Sequence, residues 1–148
     1  QQAYSIGFEY RDPEYWWIGG TVNFFNDAYI DINPLTRTSN FLNNNGVPFN
    51  DYDSKIAKQL LQQEKIAPYT VINLIGGKSW KLDQTYINIF LSIGNLFNTI
   101  YKTGGFEQGR NANYRELRDD KALKKPLFGP KYWFGRESSY FLNIGFRF

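Results

Sequence analysis

The chain has 148 residues, 42% hydrophobic and 19% aromatic, with 13 Phe, 11 Tyr and 4 Trp, a formal net charge of +3 and a mean hydropathy of −0.51. With no Cys and no His, thiolate metal sites, disulfides and His-dependent nucleophilic dyads are excluded, and the scattered bases, gathered only in the mixed stretch 118–125, offer no stripe for nucleic acid. No run approaches the roughly 18 apolar residues of a membrane helix, which leaves membrane-crossing strands open.

The first strand is predicted over 3–10, where Tyr4, Ile6, Phe8 and Tyr10 alternate with Ser5, Gly7 and Glu9. This is the period of two that sends successive side chains to opposite faces. Arg11-Asp12-Pro13-Glu14 follows as a tight turn, Pro setting φ and Asp able to bond the backbone. A second strand is predicted over 15–30, with Trp16, Ile18, Val22 and Phe24 opposite Gly19, Thr21 and Asn23. The long loop 31–68 carries turn chemistry at Asn43-Asn44-Asn45-Gly46 and a helix over about 54–63, with Asp53 or Ser54 as its N-cap. Asp51-Tyr52-Asp53 is half of a calcium-loop pattern, but no Gly or twelfth-position Glu follows in register, so it reads as turn and cap.

A third strand is predicted over 69–82, a short turn at Asp83-Gln84, and a fourth strand over 85–98. In the fourth, Ile87, Ile89, Leu91 and Ile93 face away from Asn88, Ser92 and Gly94. After a second long loop, 99–131, the last strand is predicted over 132–148. Its Tyr140, Leu142, Ile144, Phe146 and Phe148 form a uniformly apolar face opposite Phe141, Asn143, Gly145 and Arg147.

Short turns alternating with long loops, and strands that meet the roughly 9–11 residues needed to cross a bilayer when tilted, predict an all-β chain: an antiparallel transmembrane β-barrel segment. The aromatics fall into two expected rims, Tyr10, Tyr15, Trp16, Trp17, Trp80 and Phe148 at the turn end and Phe24, Phe25, Phe97 and Tyr101 at the loop end. A soluble β-sandwich with surface aromatics is the competing fold. Five strands cannot close a barrel, and an open edge in lipid leaves unpaired backbone groups that each cost several kcal/mol. The chain is therefore expected to be the C-terminal part of a larger barrel or to pair with another chain. Its first residues, QQAYSIGFEY, lack the basic and apolar regions of a signal peptide, so a leader is expected to have been removed or to lie upstream.

The stretch 85–101, TYINIFLSIGNLFNTIY, resembles the penultimate strand of TonB-dependent outer-membrane receptors. Alternating aliphatics lead into Asn95, Leu96, Phe97 and Asn98, with Tyr101 shortly after; Gly104-Gly105, Gly109, Gly129-Pro130 and the terminal Phe148 also suit that family. Asn73, Gly77 and Thr36-Arg37-Thr38 fit it as well. The resemblance covers nearly the whole chain and is most specific over 85–148. It implies the last five strands of a 22-stranded barrel, in the outer membrane of a Gram-negative cell, working in energy-coupled import of a scarce ligand such as a siderophore, glycan or peptide.

The resemblance further implies partners: outer-membrane lipid and lipopolysaccharide, the remaining strands and plug of the same barrel, the TonB system through an N-terminal region outside this chain, and the barrel-assembly machinery. The last would recognise Tyr140, Leu142, Ile144, Phe146 and Phe148 as an edge strand. A surface lipoprotein is a further possible partner of the loops. No catalytic, cofactor or metal residues are expected, and Ser138 and Ser139 have no base in view. Arg110, Tyr114 and Arg115 are the candidates for ligand or partner contact, for their hydrogen-bonding and ring-stacking capacity. A passive porin or structural barrel without a plug is the alternative function.

Overall fold

The computed structural model describes residues 1–148. In chain order its elements are β1 (Gln2–Arg11), β2 (Trp16–Asn26), two 3-10 turns (Pro34–Arg37 and Ser39–Phe41), β3 (Asn43–Asn44), β4 (Val47–Pro48), α1 (Ser54–Leu60), β5 (Tyr69–Leu82), β6 (Thr85–Gly94), β7 (Lys102–Phe106), α2 (Tyr114–Lys121), β8 (Lys131–Phe134) and β9 (Ser139–Arg147). No helix is long and apolar enough to cross a membrane. The chain divides into two compact units, one of residues 1–27, 67–101 and 134–148, the other of 28–66 and 102–133.

The first unit is a five-stranded antiparallel sheet in the order β1-β2-β5-β6-β9. Antiparallel partners directly opposite one another share a face, so the register decides whether the apolar stripes of the separate strands meet. They do. Ile6 lies opposite Val22 and Val22 opposite Ile72; Leu74 lies opposite Ile93 and Ile93 opposite Tyr140; Leu91 faces Leu142 and Ile87 faces Phe146. One face of the sheet is thus apolar across all five strands; its side chains are exposed on the edge strands, Ile6 at 70% and Leu142 at 60%, and half-buried at Val22, Ile72, Leu74 and Ile93. Its packing is lateral: Phe8 and Leu74 both lean over Gly20, where a Cβ would stand 2.9 Å from the Phe8 ring.

The reverse face carries a hydrogen-bonded polar series. Ser5 Oγ donates to Asn23 Oδ1 (2.9 Å), Asn23 Nδ2 donates to Thr21 Oγ1 and to the Val71 carbonyl (both 3.3 Å), and Asn73 Nδ2 donates to the same Thr21 hydroxyl (3.2 Å). Rings cross this face too, with Trp17 6.0 Å from Phe90 and Phe90 6.1 Å from Phe141. Trp17 and Phe25 therefore point away from the apolar rims to which they were assigned, because both hold odd positions of a strand whose even positions form the apolar face. At the loop end the exposed rings of that apolar face are Tyr4, Phe24 and Tyr140.

The sheet is open rather than a closed barrel, with β1 and β9 each paired on one side only. Three strand boundaries differ from expectation. The second strand ends at Asn26, because Asp27 turns into the left-handed region (φ 51°). The fourth ends at Gly94, because Asn95 does the same (φ 50°). The expected 132–148 strand is two strands: β8 pairs with β7, residues 135–138 leave the ladder, and only β9 joins the large sheet.

In the second unit, Asp53 caps α1, its carboxylate accepting from the Lys55 and Ile56 amides. Asn113 and Glu116 form a reciprocal capping box that starts α2, a helix inside the stretch 99–131 expected to be a loop. The Asn45-Gly46 turn between β3 and β4 uses two successive positive φ values, as a tight hairpin requires. The small core is Phe41, Phe49, Ala57 and Tyr114, with Leu60, Leu61 and Leu117 against it.

Three rings of the first unit stack in series, Phe25 on Tyr69 (centroids 4.8 Å apart) and Tyr69 on Tyr101 (4.3 Å). Tyr101 also covers Gly135, whose amide donates to the Tyr101 carbonyl (2.9 Å); a Cβ at Gly135 would fall 2.0 Å from Tyr101 Cζ. Because Tyr101 is held by Tyr69, it cannot simply swing away. Gly135→Ala is expected to lower stability by about 1–3 kcal/mol through overpacking. Guanidinium unfolding should show a smaller loss when the same change is made in a Tyr101→Leu background, the coupling expected of residues in contact.

Candidate functional site

The Asn95-Leu96-Phe97-Asn98 motif sits where β6 leaves the sheet, and its geometry is that of a latch. Asn95 is 4% exposed, and every polar group it owns is used. Its amide donates to Asn73 Oδ1 (3.0 Å), its Nδ2 donates to the carbonyls of Thr99 (2.9 Å) and Arg136 (3.0 Å), its Oδ1 accepts from the Thr99 amide (2.9 Å), and its carbonyl accepts from Ser138 Oγ (2.6 Å). Leu96 returns its amide to the Ile72 carbonyl (2.8 Å), and Asn98 Oδ1 accepts from the Ser138 amide (2.9 Å). Asn95 and Asn98 both take positive φ, a conformation in which Asn is tolerated well. Phe97 is left exposed at 71%, and Tyr101 enters the ring stack. The motif thus joins β5, the segment after β6 and the segment before β9. Ser138, for which the sequence shows no catalytic partner, is part of this latch.

The terminal-strand residues Tyr140, Leu142, Ile144, Phe146 and Phe148 all lie exposed along one edge of the sheet. The second edge of β9 makes no ladder, so its backbone groups are available to another strand.

The three loop candidates fare differently. Tyr114 is fully buried, which removes it as a ligand-stacking ring: it packs against Phe41, Phe49 and Tyr52, and its hydroxyl oxygen accepts from the Asp53 amide (3.2 Å). Its place on the inward side of α2 is the physical reason, and that helix was missed. Arg115 is committed to structure, with Nε on Asp51 (2.7 Å), Nη2 on Asn50 (2.7 Å) and its guanidinium over the Phe49 ring (4.7 Å). Arg110 is exposed, with φ 44° and a carbonyl that accepts from Asn33 Nδ2 (2.8 Å). The structure does not bring the three into one site.

Sequence reasoning passed over two polar centres of the loop unit. Arg37 is the first: its guanidinium pairs with both oxygens of Glu107 and donates to the carbonyls of Asn33 (3.1 Å) and Leu61 (2.8 Å). The second is Glu64, which accepts from Tyr132 Oη (2.8 Å) and Lys102 Nζ (3.4 Å), while that ammonium lies 3.3 Å from the centre of the Tyr132 ring. Burial, and then the Glu64 carboxylate, push the Tyr132 hydroxyl above its ordinary pKa. A cavity of about 310 Å³ in this unit is lined by Ile30, Leu61, Leu117 and Phe128, among others, with Glu64, Glu107 and Asp120 at its wall. All three carboxylates already have donors, Asp120 taking the Leu127 and Phe128 amides (2.7 and 3.0 Å). The cavity therefore offers apolar surface and spent acids, a poor setting for acid–base chemistry. No group of acidic residues is arranged to hold a metal.

No protein family, curated protein or solved structure matches the chain.

Two outcomes follow from these contacts. Asn95→Ala strands the Thr99 amide and two carbonyls and forces Ala into positive φ, and is expected to cost about 2–4 kcal/mol in an equilibrium unfolding measurement. Asn95→Gly, which relieves φ alone, should recover only the smaller part. The guanidinium groups of Arg118 and Arg115 hold the Asp51 carboxyl down at about 2, below the ordinary value of about 3.9. Its contribution to stability is then present above pH ~4 and lost as pH falls through ~2. A carboxyl-carbon titration of Asp51 should find its midpoint there, and Arg118→Gln should move it upward.

Proposed function

We propose that the chain is part of the wall of a transmembrane β-barrel in the outer membrane of a Gram-negative cell, in a receptor of the TonB-dependent kind that imports a scarce ligand such as a siderophore, glycan or peptide. The observation that carries this reading is the register. Five strands bring an almost continuous set of aliphatic and aromatic side chains to one face, while Ser5, Thr21, Asn23, Asn73, Asn88, Ser92 and Asn143 lie on the other, interspersed with rings. A soluble sandwich would cover that apolar face with a second sheet; a bilayer covers it with acyl chains. The two unmet edges suit a wall continued by further strands, since lipid gives unpaired backbone groups no partner. The Asn95–Asn98 latch and its resemblance to the penultimate strand of such receptors favour an importer over other barrels. The polar reverse face would equally line an aqueous pore, and this supports a passive porin as the second reading.

Residues 1–148 include no Cys, so a cysteine introduced among them reports its own position against the unsubstituted protein. In membranes of cells producing the protein, single cysteines at Ile6, Leu91 and Ile144 should resist a water-soluble maleimide and react with a bilayer-soluble one. Cysteines at Ser5, Asn73 and Asn143 should show the reverse. Equal labelling of both faces from water would remove the barrel-wall reading. Ligand uptake that stops when TonB is deleted supports the receptor, whereas uptake that continues identifies a porin.

A further inference from the structure

One cation breaks the apolar face. Lys78 shares the parity of Leu74 and Ile72, and stands directly opposite Trp16 on β2 and Ile89 on β6. It therefore belongs to the face whose other members are almost all aliphatic or aromatic. Its Nζ donates to the Glu14 carbonyl (2.9 Å) and lies 5.9 Å from the centre of the Trp80 ring. An ammonium has three donors and no acceptor, so one neutral carbonyl and a ring at the limit of cation–π range leave two donors and no opposite charge beside it. Of the nearby acids, Asp12 takes the Tyr10 hydroxyl (3.0 Å) and the Glu14 amide (2.9 Å), and Glu9, on the reverse face, holds Arg11 (2.5 Å); Glu14 meets Lys78 through its backbone carbonyl and makes no ion pair with it.

Next to Lys78 along the strand is a gap in the same face. Gly76 lies opposite Ile18 and Leu91, and a Cβ built there would meet only backbone, the Trp17 carbonyl oxygen at 3.1 Å and Ile18 Cα at 3.9 Å. No side chain leans over it, unlike Gly20, which Phe8 and Leu74 cover. The face thus has a narrow apolar notch that ends at a cation flanked by Trp16 and Trp80.

We propose that Lys78 and the notch at Gly76 form a binding site for an anionic phospholipid, the headgroup phosphate on Lys78 Nζ and one acyl chain lying over Gly76. This rests on the reading that the apolar face meets lipid. A cation at that face is tolerated where it can reach the headgroup level with its stem along apolar surface, and two Trp rings at its side mark that level. The positive charge selects lipids of net negative charge, and the notch distinguishes a docked lipid from general attraction to an anionic surface. Lys81 is the built-in comparison, because it lies three residues further along the same strand, near the same end of the sheet, but has the opposite parity and lies 5.6 Å from the Tyr86 ring.

The test is quenching of Trp fluorescence in the protein reconstituted into bilayers, with brominated phosphatidylglycerol competing against unlabelled phosphatidylcholine and the reverse. The wild type should prefer phosphatidylglycerol by about fivefold, the factor one Lys near an anionic surface supplies. Lys78→Gln should bring the preference close to one, Lys78→Arg should keep it, and Lys81→Gln should leave it unchanged. If Lys78→Gln keeps the full preference while both brominated lipids still quench, the headgroup site is wrong and the lipid-facing assignment stands. If Lys81→Gln lowers the preference as much as Lys78→Gln, the effect is general surface charge and the site is again wrong. If neither brominated lipid quenches, the lipid-facing assignment itself falls.

Discussion

In an antiparallel sheet every opposed pair joins side chains of one face, and a slip of one residue would carry a whole strand's side chains to the other side. Here four successive pairings, β1 with β2, β2 with β5, β5 with β6 and β6 with β9, all keep the same phase. Ile6, Val22, Ile72, Leu74, Ile93 and Tyr140 consequently lie on one surface although they come from five strands spread along the chain. Everything else in the sheet follows from that phase. It places Ser5, Thr21, Asn23 and Asn73 together on the reverse face, where they hydrogen-bond one another. It also isolates Lys78 among apolar neighbours, and puts Trp17 and Phe25 on the polar side.

The polar face ends at Asn95. Strands stop where the ladder can no longer supply partners, and an abrupt end leaves backbone donors and acceptors to be met by other means. One asparagine in the left-handed region meets most of them here, reaching Asn73 on the neighbouring strand and Thr99, Arg136 and Ser138 beyond the sheet. Only a short side chain with both an acceptor and a double donor can do this. An aspartate would lose the two carbonyl contacts, and a glutamine would overreach.

The strands were legible because a period of two survives in any sequence that has one wet face and one greasy one. The tight turns at Asp12-Pro13 and Asp83-Gln84 were legible for the reason that their residues favour turns locally. Three things were harder to see. Asp27 and Asn95 end their strands through positive φ, and an Asn or Asp within an alternating run gives little sign of it. The break at 135–138 depends on Gly135 accepting the Tyr101 ring, a contact between residues far apart in sequence. Helix α2 did carry a signal, Asn113 with Glu116 three residues on, but its weakly apolar face hid it. Missing that helix is what made Tyr114 look like a ligand residue when it is the centre of a core.

The ring stack of Phe25, Tyr69 and Tyr101, with Gly135 beneath Tyr101, has a consequence for the order of folding. These four residues stand at the places where the chain passes between the sheet unit, 1–27, 67–101 and 134–148, and the loop unit, 28–66 and 102–133. The core of the loop unit takes Phe41, Phe49 and Ala57 from one segment and Tyr114 from the other. Those segments are separated in sequence by the β5–β6 hairpin, and closing the distance between them in an open chain carries an entropic cost that grows with separation. Once the hairpin has zipped, a local event on the scale of microseconds, the stack holds the two departures from it side by side and most of that cost has been met. The small aromatic core is therefore cheaper to close after the hairpin and its ring stack are in place than before.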